Sequence, residues 1–259
     1  MKKILFGLLF LASACCPFRP FTFVQMTDPQ IGFELSEEKT DTMFKAAVAE
    51  VNALNPELVV ITGDLVNWAY SDKQDSIYLD GRDLIEAPVY ELPGNHDIRT
   101  NEPQSRERYM KLHGETRFSI KKNGCAFIGI DSNCIKNGEE ELEAEQLEWL
   151  KDQLKKAKKA KYTFVFLHCP IIRQTIDEPE DYFNFSIPKR KEYIELFKEH
   201  GVDAVFAGHT HIDYRTEYEG IRFYAAGPVG FAFDRDRSGY NVITVTRDGF
   251  DVKYIETRL

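Results

Sequence analysis

Cysteine and surplus positive charge are scarce in this chain, and only one apolar run is long. Five cysteines stand among 259 residues: Cys15, Cys16, Cys125, Cys134 and Cys169. Their spacings give neither a CxxC zinc pattern nor the framework of a small disulfide-rich domain. An oxidising compartment would still permit a Cys125–Cys134 bridge. Lys and Arg number 33 against 42 Asp and Glu, a formal charge of −9. Phosphate contacts dominate nucleic-acid affinity, so this balance disfavours bulk nucleic-acid binding. It leaves room for a small phosphorylated substrate held through a metal. The single long apolar run, at the N-terminus, excludes a polytopic membrane protein. What is abundant is aromatic: 19 Phe and 12 Tyr argue against disorder. A chain of this length buries roughly 70–75% of its unfolded surface and needs no covalent staple.

The N-terminus has the pattern of an address. Lys2 and Lys3 precede the short apolar run Ile4–Leu11, and Ala12-Ser13-Ala14 supplies a small-residue cleavage site. The run is shorter than the roughly 20 residues of a membrane span. Cys15 follows directly, as in a bacterial lipobox whose cysteine is lipidated. The expected organisation is a signal peptide at 1–14, a lipidated or flexible tether at 15–20 and one domain at 21–259. The expected location is the cell envelope, with the membrane reached only through a lipid on Cys15; a secreted or periplasmic protein is the alternative.

Downstream, strand and helix patterns alternate. Phe21–Thr27, Leu58–Thr62, Val89–Leu92, Tyr162–Leu167 and Ala204–Ala207 are β-rich apolar runs, typical of strands buried on both faces. Ser36 is placed to cap a helix over 37–54 that buries Met43, Phe44, Ala47, Val48 and Val51. Residues 103–113 are expected to be helical, as are 139–158 with Leu142, Leu147 and Leu150 as the buried side. A hairpin is expected around Lys121–Gly124, and strands are expected over 212–256. The fold class is α/β.

The informative feature is what ends each apolar strand. Asp28 and Gln30 follow the first, Asp64 and Asn67 the second, Asn95, His96 and Asp97 the third. His168 follows the strand at 162–167, and His209 and His211 follow the one at 204–207. Open α/β sheets place their ligands at the carboxyl ends of strands, so these five ends are expected to converge. Carboxylates, imidazoles and carboxamides together suit divalent Mn, Fe or Zn. Thiolates are missing from the set apart from Cys169 beside His168, which argues against a structural zinc site.

In order and strand context these segments resemble the calcineurin-like metallophosphoesterase superfamily. Its pattern D-x-H, GD-x-x-[DN], GNH[DE], His, GH-x-H stands here as Asp28-Pro29-Gln30, Gly63-Asp64-Leu65-Val66-Asn67, Gly94-Asn95-His96-Asp97, His168 and Gly208-His209-Thr210-His211. The Asp-Pro-Gln variant further resembles the branch containing the CPPED1-type protein phosphatases. The resemblance implies a four-layer α/β/β/α sandwich with two mixed β-sheets and two divalent metal ions. One ion would be held by Asp28, Gln30, Asp64 and His211, the other by Asp64, Asn95, His168 and His209, with Asp64 as the bridge. His96 would face the scissile ester as general acid, and Asn67 would orient its ring without adding charge. Activated water would attack phosphorus directly, with no phosphoenzyme. Gln30 departs from the usual His, and a neutral amide oxygen implies looser binding of that ion.

The substrate is less determined. A phosphomonoesterase acting on a phosphoprotein or small phosphorylated compound leads. A phosphodiesterase on a nucleotide or lipid head group, and a non-catalytic binding module, are the alternatives. Residues 169–187 form a long non-periodic stretch of the kind that is usually functional or disordered. Within it Tyr182, Phe183 and Phe185 could wall the site, and Arg99 and Arg173 could clamp phosphate oxygens.

Overall fold

A computed structural model describes residues 18–233 and 237–258. The expected signal peptide, Cys15, Cys16 and the start of the tether lie outside the described residues. The chain runs β1 (Phe21–Met26), α1 (Glu37–Leu54), β2 (Val59–Thr62), α2 (Asp72–Arg82), β3 (Val89–Leu92), α3 (Pro103–His113), β4 (Phe118–Lys122), β5 (Cys125–Gly129), α4 (Ser132–Lys136), α5 (Glu140–Ala157), β6 (Thr163–Phe166), α6 (Ile187–Glu199), β7 (Ala204–Ala207), β8 (Tyr214–Tyr218), β9 (Ile221–Ala225), β10 (Gly239–Val245) and β11 (Phe250–Glu256).

Two mixed sheets result, ordered β11-β10-β1-β2-β3 and β4-β5-β6-β7-β9-β8. In the first, β1, β2 and β3 are parallel and β10 joins β1 antiparallel. In the second, β5, β6, β7 and β9 are parallel, with β4 and β8 antiparallel at the edges. Strands covered on both faces need apolar residues at successive positions, which the runs in β1, β2, β6 and β7 supply. Between the sheets Phe23 meets Phe127 and Phe164 at centroid distances of 5.1 and 5.2 Å, with Phe206 at 6.0 Å. Burying each such ring contributes about 1.5–3 kcal/mol. Outside the first sheet pack Phe44, Val48 and Val51 of α1 with Tyr78 of α2 and Tyr109 of α3. Outside the second pack Leu150 and Leu154 of α5 with Tyr193 and Phe197 of α6. The layers are α/β/β/α.

Local chemistry follows the sequence closely in α1. Ser36 accepts a hydrogen bond from the Lys39 N–H, and all five expected residues are buried. α5 differs. Leu142 is exposed, while Glu143 and Gln146 are buried. Gln146 bridges the Asp131 backbone, and Glu143 takes the Tyr193 hydroxyl and the Lys189 ammonium. A buried polar pair with partners replaces part of the apolar stripe. Cys125, Cys134 and Cys169 are buried and free.

Candidate metal centre

β1, β2 and β3 in one sheet, and β6 and β7 in the other, all end at the same edge. Backbone pairing continues past them: the Asp28 N–H donates to Gly63 O (3.0 Å), Gln30 N–H to Asp64 O (2.8 Å) and Gly208 N–H to His168 O (2.9 Å). This brings all seven expected ligand residues to one place on adjoining loops. Five of them, Asp28, Gln30, Asp64, His209 and His211, have left-handed backbone with φ of 50°, 35°, 51°, 69° and 54°. Each such residue costs on the order of 1–3 kcal/mol, a cost that structures tolerate mainly at functional positions. The loops also approach so closely that side chains are barred. A Cβ at Gly94 would lie 2.1 Å from Asp64 Oδ1, and one at Gly208 would lie 1.9 Å from Thr27 Oγ1.

Backbone carbonyls orient the four histidines. His168 Nδ1 donates to Thr62 O (2.8 Å), His211 Nδ1 to Phe231 O (2.7 Å), His209 Nε2 to Tyr182 O (3.1 Å) and His96 Nδ1 to Asn67 O (2.9 Å). A proton fixed on one ring nitrogen leaves the other as a lone-pair donor, the usual arrangement around a metal. His168 Nε2 then stands 3.3 Å from Asp64 Oδ2 and 3.1 Å from Asn95 Oδ1. His211 Nε2 stands 3.3 Å from Asp28 Oδ1.

Asp64, His168 and His209 offer ligand atoms within 4.8 Å of one another, a group able to hold a metal ion. The Asp28 side tests the fit independently. Asp28 Oδ2 is pinned by the Thr27 hydroxyl (2.6 Å) and the His209 N–H (3.0 Å), while Oδ1 faces His211 Nε2 at 3.3 Å. Gln30 Oε1 is buried with no hydrogen-bond partner among the described residues. A bare buried acceptor costs about 1–3 kcal/mol. A carboxylate oxygen, an amide oxygen and an imidazole nitrogen make a donor set that suits a divalent cation.

The electrostatics agree. Burial raises the carboxyl pKa of Asp64 and Asp28, but His168 beside the first and His211 beside the second hold both below the ordinary value. Burial lowers His168, yet Asp64 overrides it and raises the ring to about 9. His211 is raised by Asp28 in the same way. His209, pushed down by burial and then by His168, falls to about 4.

His96 and Asn67 meet, but not as expected. The contact is the Asn67 main-chain carbonyl, whereas its side-chain amide reaches Gly32 O at 3.5 Å. The His96 backbone N–H donates to Asp64 Oδ1 at 2.8 Å, tying this histidine to the centre. Asp97 is the residue whose work was not foreseen. Its buried carboxylate accepts from the N–H groups of Leu65, Val66 and Gly94, clasping the loops after β2 and β3. Burial and then Asp64 push it up to about 7 against those three donors.

At the rim, Arg99 lies beside His96 in a cleft of about 520 Å³ that Asn133, Lys136 and Tyr182 also line. Its Nε contacts Glu102 (3.2 Å), and the guanidinium lies 4.5 Å from the Trp68 ring centre. Arg173 is engaged within its own loop, at 2.5 Å from Asp181 Oδ2, and is a brace there rather than an open clamp. The expected wall also differs: Phe185 is buried against α6, leaving Tyr182 and Phe183 against His209 at 4.8 and 5.5 Å. A second wall had no forewarning in the sequence. Phe33 stands 5.8 Å from His96 and 5.4 Å from His211, Phe233 stands 5.1 Å from His211, and Phe231 packs against both phenylalanines.

Comparison with known proteins accords with this geometry. The family model for calcineurin-like phosphoesterases matches residues 21–213. The chain is 28% identical over 260 residues to a serine/threonine-protein phosphatase CPPED1 of Bos taurus, covering 91% of this chain and 83% of that one. It is 29% identical over 197 residues to a probable glycerophosphodiester phosphodiesterase GpdQ of Arcobacter nitrofigilis, covering 73% and 71%. A crystal structure of a dimetal phosphatase from Danio rerio superposes with a TM-score of 0.70 at 14% identity, over 94% and 98% of the two chains. The chain belongs to the calcineurin-like phosphoesterases and is a hydrolase of phosphoric ester bonds.

Proposed function

We propose that the protein is a metal-dependent phosphomonoesterase acting on a phosphoprotein or a small phosphorylated compound. The observation that carries the metal dependence is the Asp64, His168 and His209 group, with the buried Gln30 oxygen left unpartnered among the described residues. Asp28, Gln30, Asp64 and His211 would hold one ion, and Asp64, Asn95, His168 and His209 the other. When bound, such ions supply Lewis acidity toward the phosphoryl oxygens and lower the pKa of a water. The Nδ1 contact with Asn67 O orients the His96 ring and leaves Nε2 as the nitrogen that would pass a proton to the departing alkoxide. Arg99 stands in the same cleft, where a guanidinium can bind the charge of a dianionic monoester.

The similarity to protein phosphatases over 91% of the chain supports the monoester reading. The 29% identity to the probable phosphodiesterase favours the diester as second reading. The N-terminal pattern from Lys2 to Cys15 supports a lipid-anchored protein of the cell envelope.

Hydrolysis of a chromogenic phosphate monoester and the matching diester, with Mn²⁺ or Fe²⁺, separates the readings. The expected result is metal-dependent turnover favouring the monoester. His96→Ala should lose about 10²–10⁴-fold in rate while retaining its metal. A diester preference would overturn the substrate assignment, and loss of metal in the variant would overturn the role of His96.

A further inference from the structure

We propose that Tyr182 is a positioning residue that orients two ligands of the metal centre at once. The proposal rests on the metal-dependent reading above and adds a residue from outside the five strand-end segments. The Asn95 side-chain Nδ2 donates to the Tyr182 hydroxyl at 2.8 Å. The Tyr182 main-chain carbonyl accepts from His209 Nε2 at 3.1 Å.

Each contact has a consequence for ligation. A carboxamide presents either oxygen or nitrogen to a cation, and only the oxygen can bind one. Asn95 Oδ1 faces inward, 3.1 Å from His168 Nε2, so its amino group faces outward and needs an acceptor. The Tyr182 hydroxyl is that acceptor. In His209 the carbonyl fixes the proton on Nε2 and leaves the Nδ1 lone pair free. Partners of this kind typically change metal affinity by about 10–100-fold when removed.

The loop holds Tyr182 firmly enough for this work. Asp181 N–H donates to Asn184 Oδ1 (3.0 Å), and Phe183 N–H donates to Asp181 Oδ1 (2.8 Å), fixing the residues on either side. Beneath them Arg190, fully buried, donates to the carbonyls of Phe185, Ile176, Glu178 and Pro179. The Lys136 ammonium bonds the carbonyls of Asp181 and Asn184 from the opposite wall of the cleft. Although Tyr182 is 57% exposed, its hydroxyl and carbonyl both point at ligand residues.

The test is stepwise Mn²⁺ affinity, read by competition with a chromophoric chelator. The full-length protein is compared with Tyr182→Phe, Asn95→Asp and the double variant. Tyr182→Phe keeps the ring and the carbonyl and removes only the hydroxyl. It should weaken one of the two Mn²⁺ steps about tenfold and leave the other unchanged. In Asn95→Asp an oxygen faces the centre whichever way the group turns, so adding Tyr182→Phe should cost less than about threefold. Wild-type affinity in Tyr182→Phe, or an equal loss with and without Asn95→Asp, would overturn the proposal. Wild-type protein that takes up no Mn²⁺ would instead overturn the metal-dependent reading on which it rests.

Discussion

Asn95, His168 and His209 each have a polar atom tied to a group outside the centre: the Tyr182 hydroxyl, Thr62 O and Tyr182 O. Across the site His211 is tied to Phe231 O and faces Asp28 Oδ1, while Gln30 Oε1 is buried without a partner among the described residues. One half is held in shape by the protein alone. The other leaves one amide oxygen unsatisfied. Pre-oriented ligands lose little freedom on binding, whereas an amide oxygen that nothing orients must be fixed as the ion binds. The difference teaches that two halves of one site can be prepared to unequal degrees by what lies behind them.

The strongest way to break this comparison is to remove what both halves share. Asp64→Asn should lose metal and turnover together, because the amide bears no charge and one of its two donor atoms becomes N–H. Metal analysis and initial rates check this, and a variant with full metal and activity would contradict the bridging assignment. A smaller effect is expected from Gln30→Ala. Bound metal should fall from two ions to one, with the remaining ion held as in the wild type. Loss of both ions would show that the halves do not bind separately.

The smallest effect is in pH. His168, raised to about 9 by Asp64 against its burial, carries a proton at neutral pH and must release it to ligate. His209, at about 4, has none to release. Metal affinity should therefore climb as pH rises toward 9, with uptake at pH 7 releasing at least one proton. Titration calorimetry in two buffers of different ionisation heat measures the release; uptake without it would place His168 in the neutral form.

Much of this architecture is legible in the chain. β1, β2, β6 and β7 are continuous apolar runs, and each ends on a polar residue that the structure brings to the common edge. α1 is legible because its cap and its stripe agree. α2 has no such stripe: with Gln74, Asp75 and Gly81 among its buried residues, it offers no helical period to detect. The Asn67 carbonyl is invisible for another reason, since every residue has one. Phe33, Phe231 and Phe233 are single aromatics in irregular segments, and only long-range folding makes them a wall. Tyr182 was visible as an aromatic in a long loop, but its contacts with Asn95 and His209 depend on a loop held by Arg190 and Lys136.

β1 has one further consequence. It enters its sheet at Phe21 and delivers Asp28 beyond its opposite end, about 20 Å away for six strand residues. A lipid on Cys15 would be joined to Phe21 by a leash of at most about 20 Å. That leash attaches at the edge remote from the centre. In a protein so anchored, the mouth of the site would look away from the bilayer. Headgroups of its own leaflet would lie behind it, and its substrates would arrive from the surrounding fluid or from a facing surface.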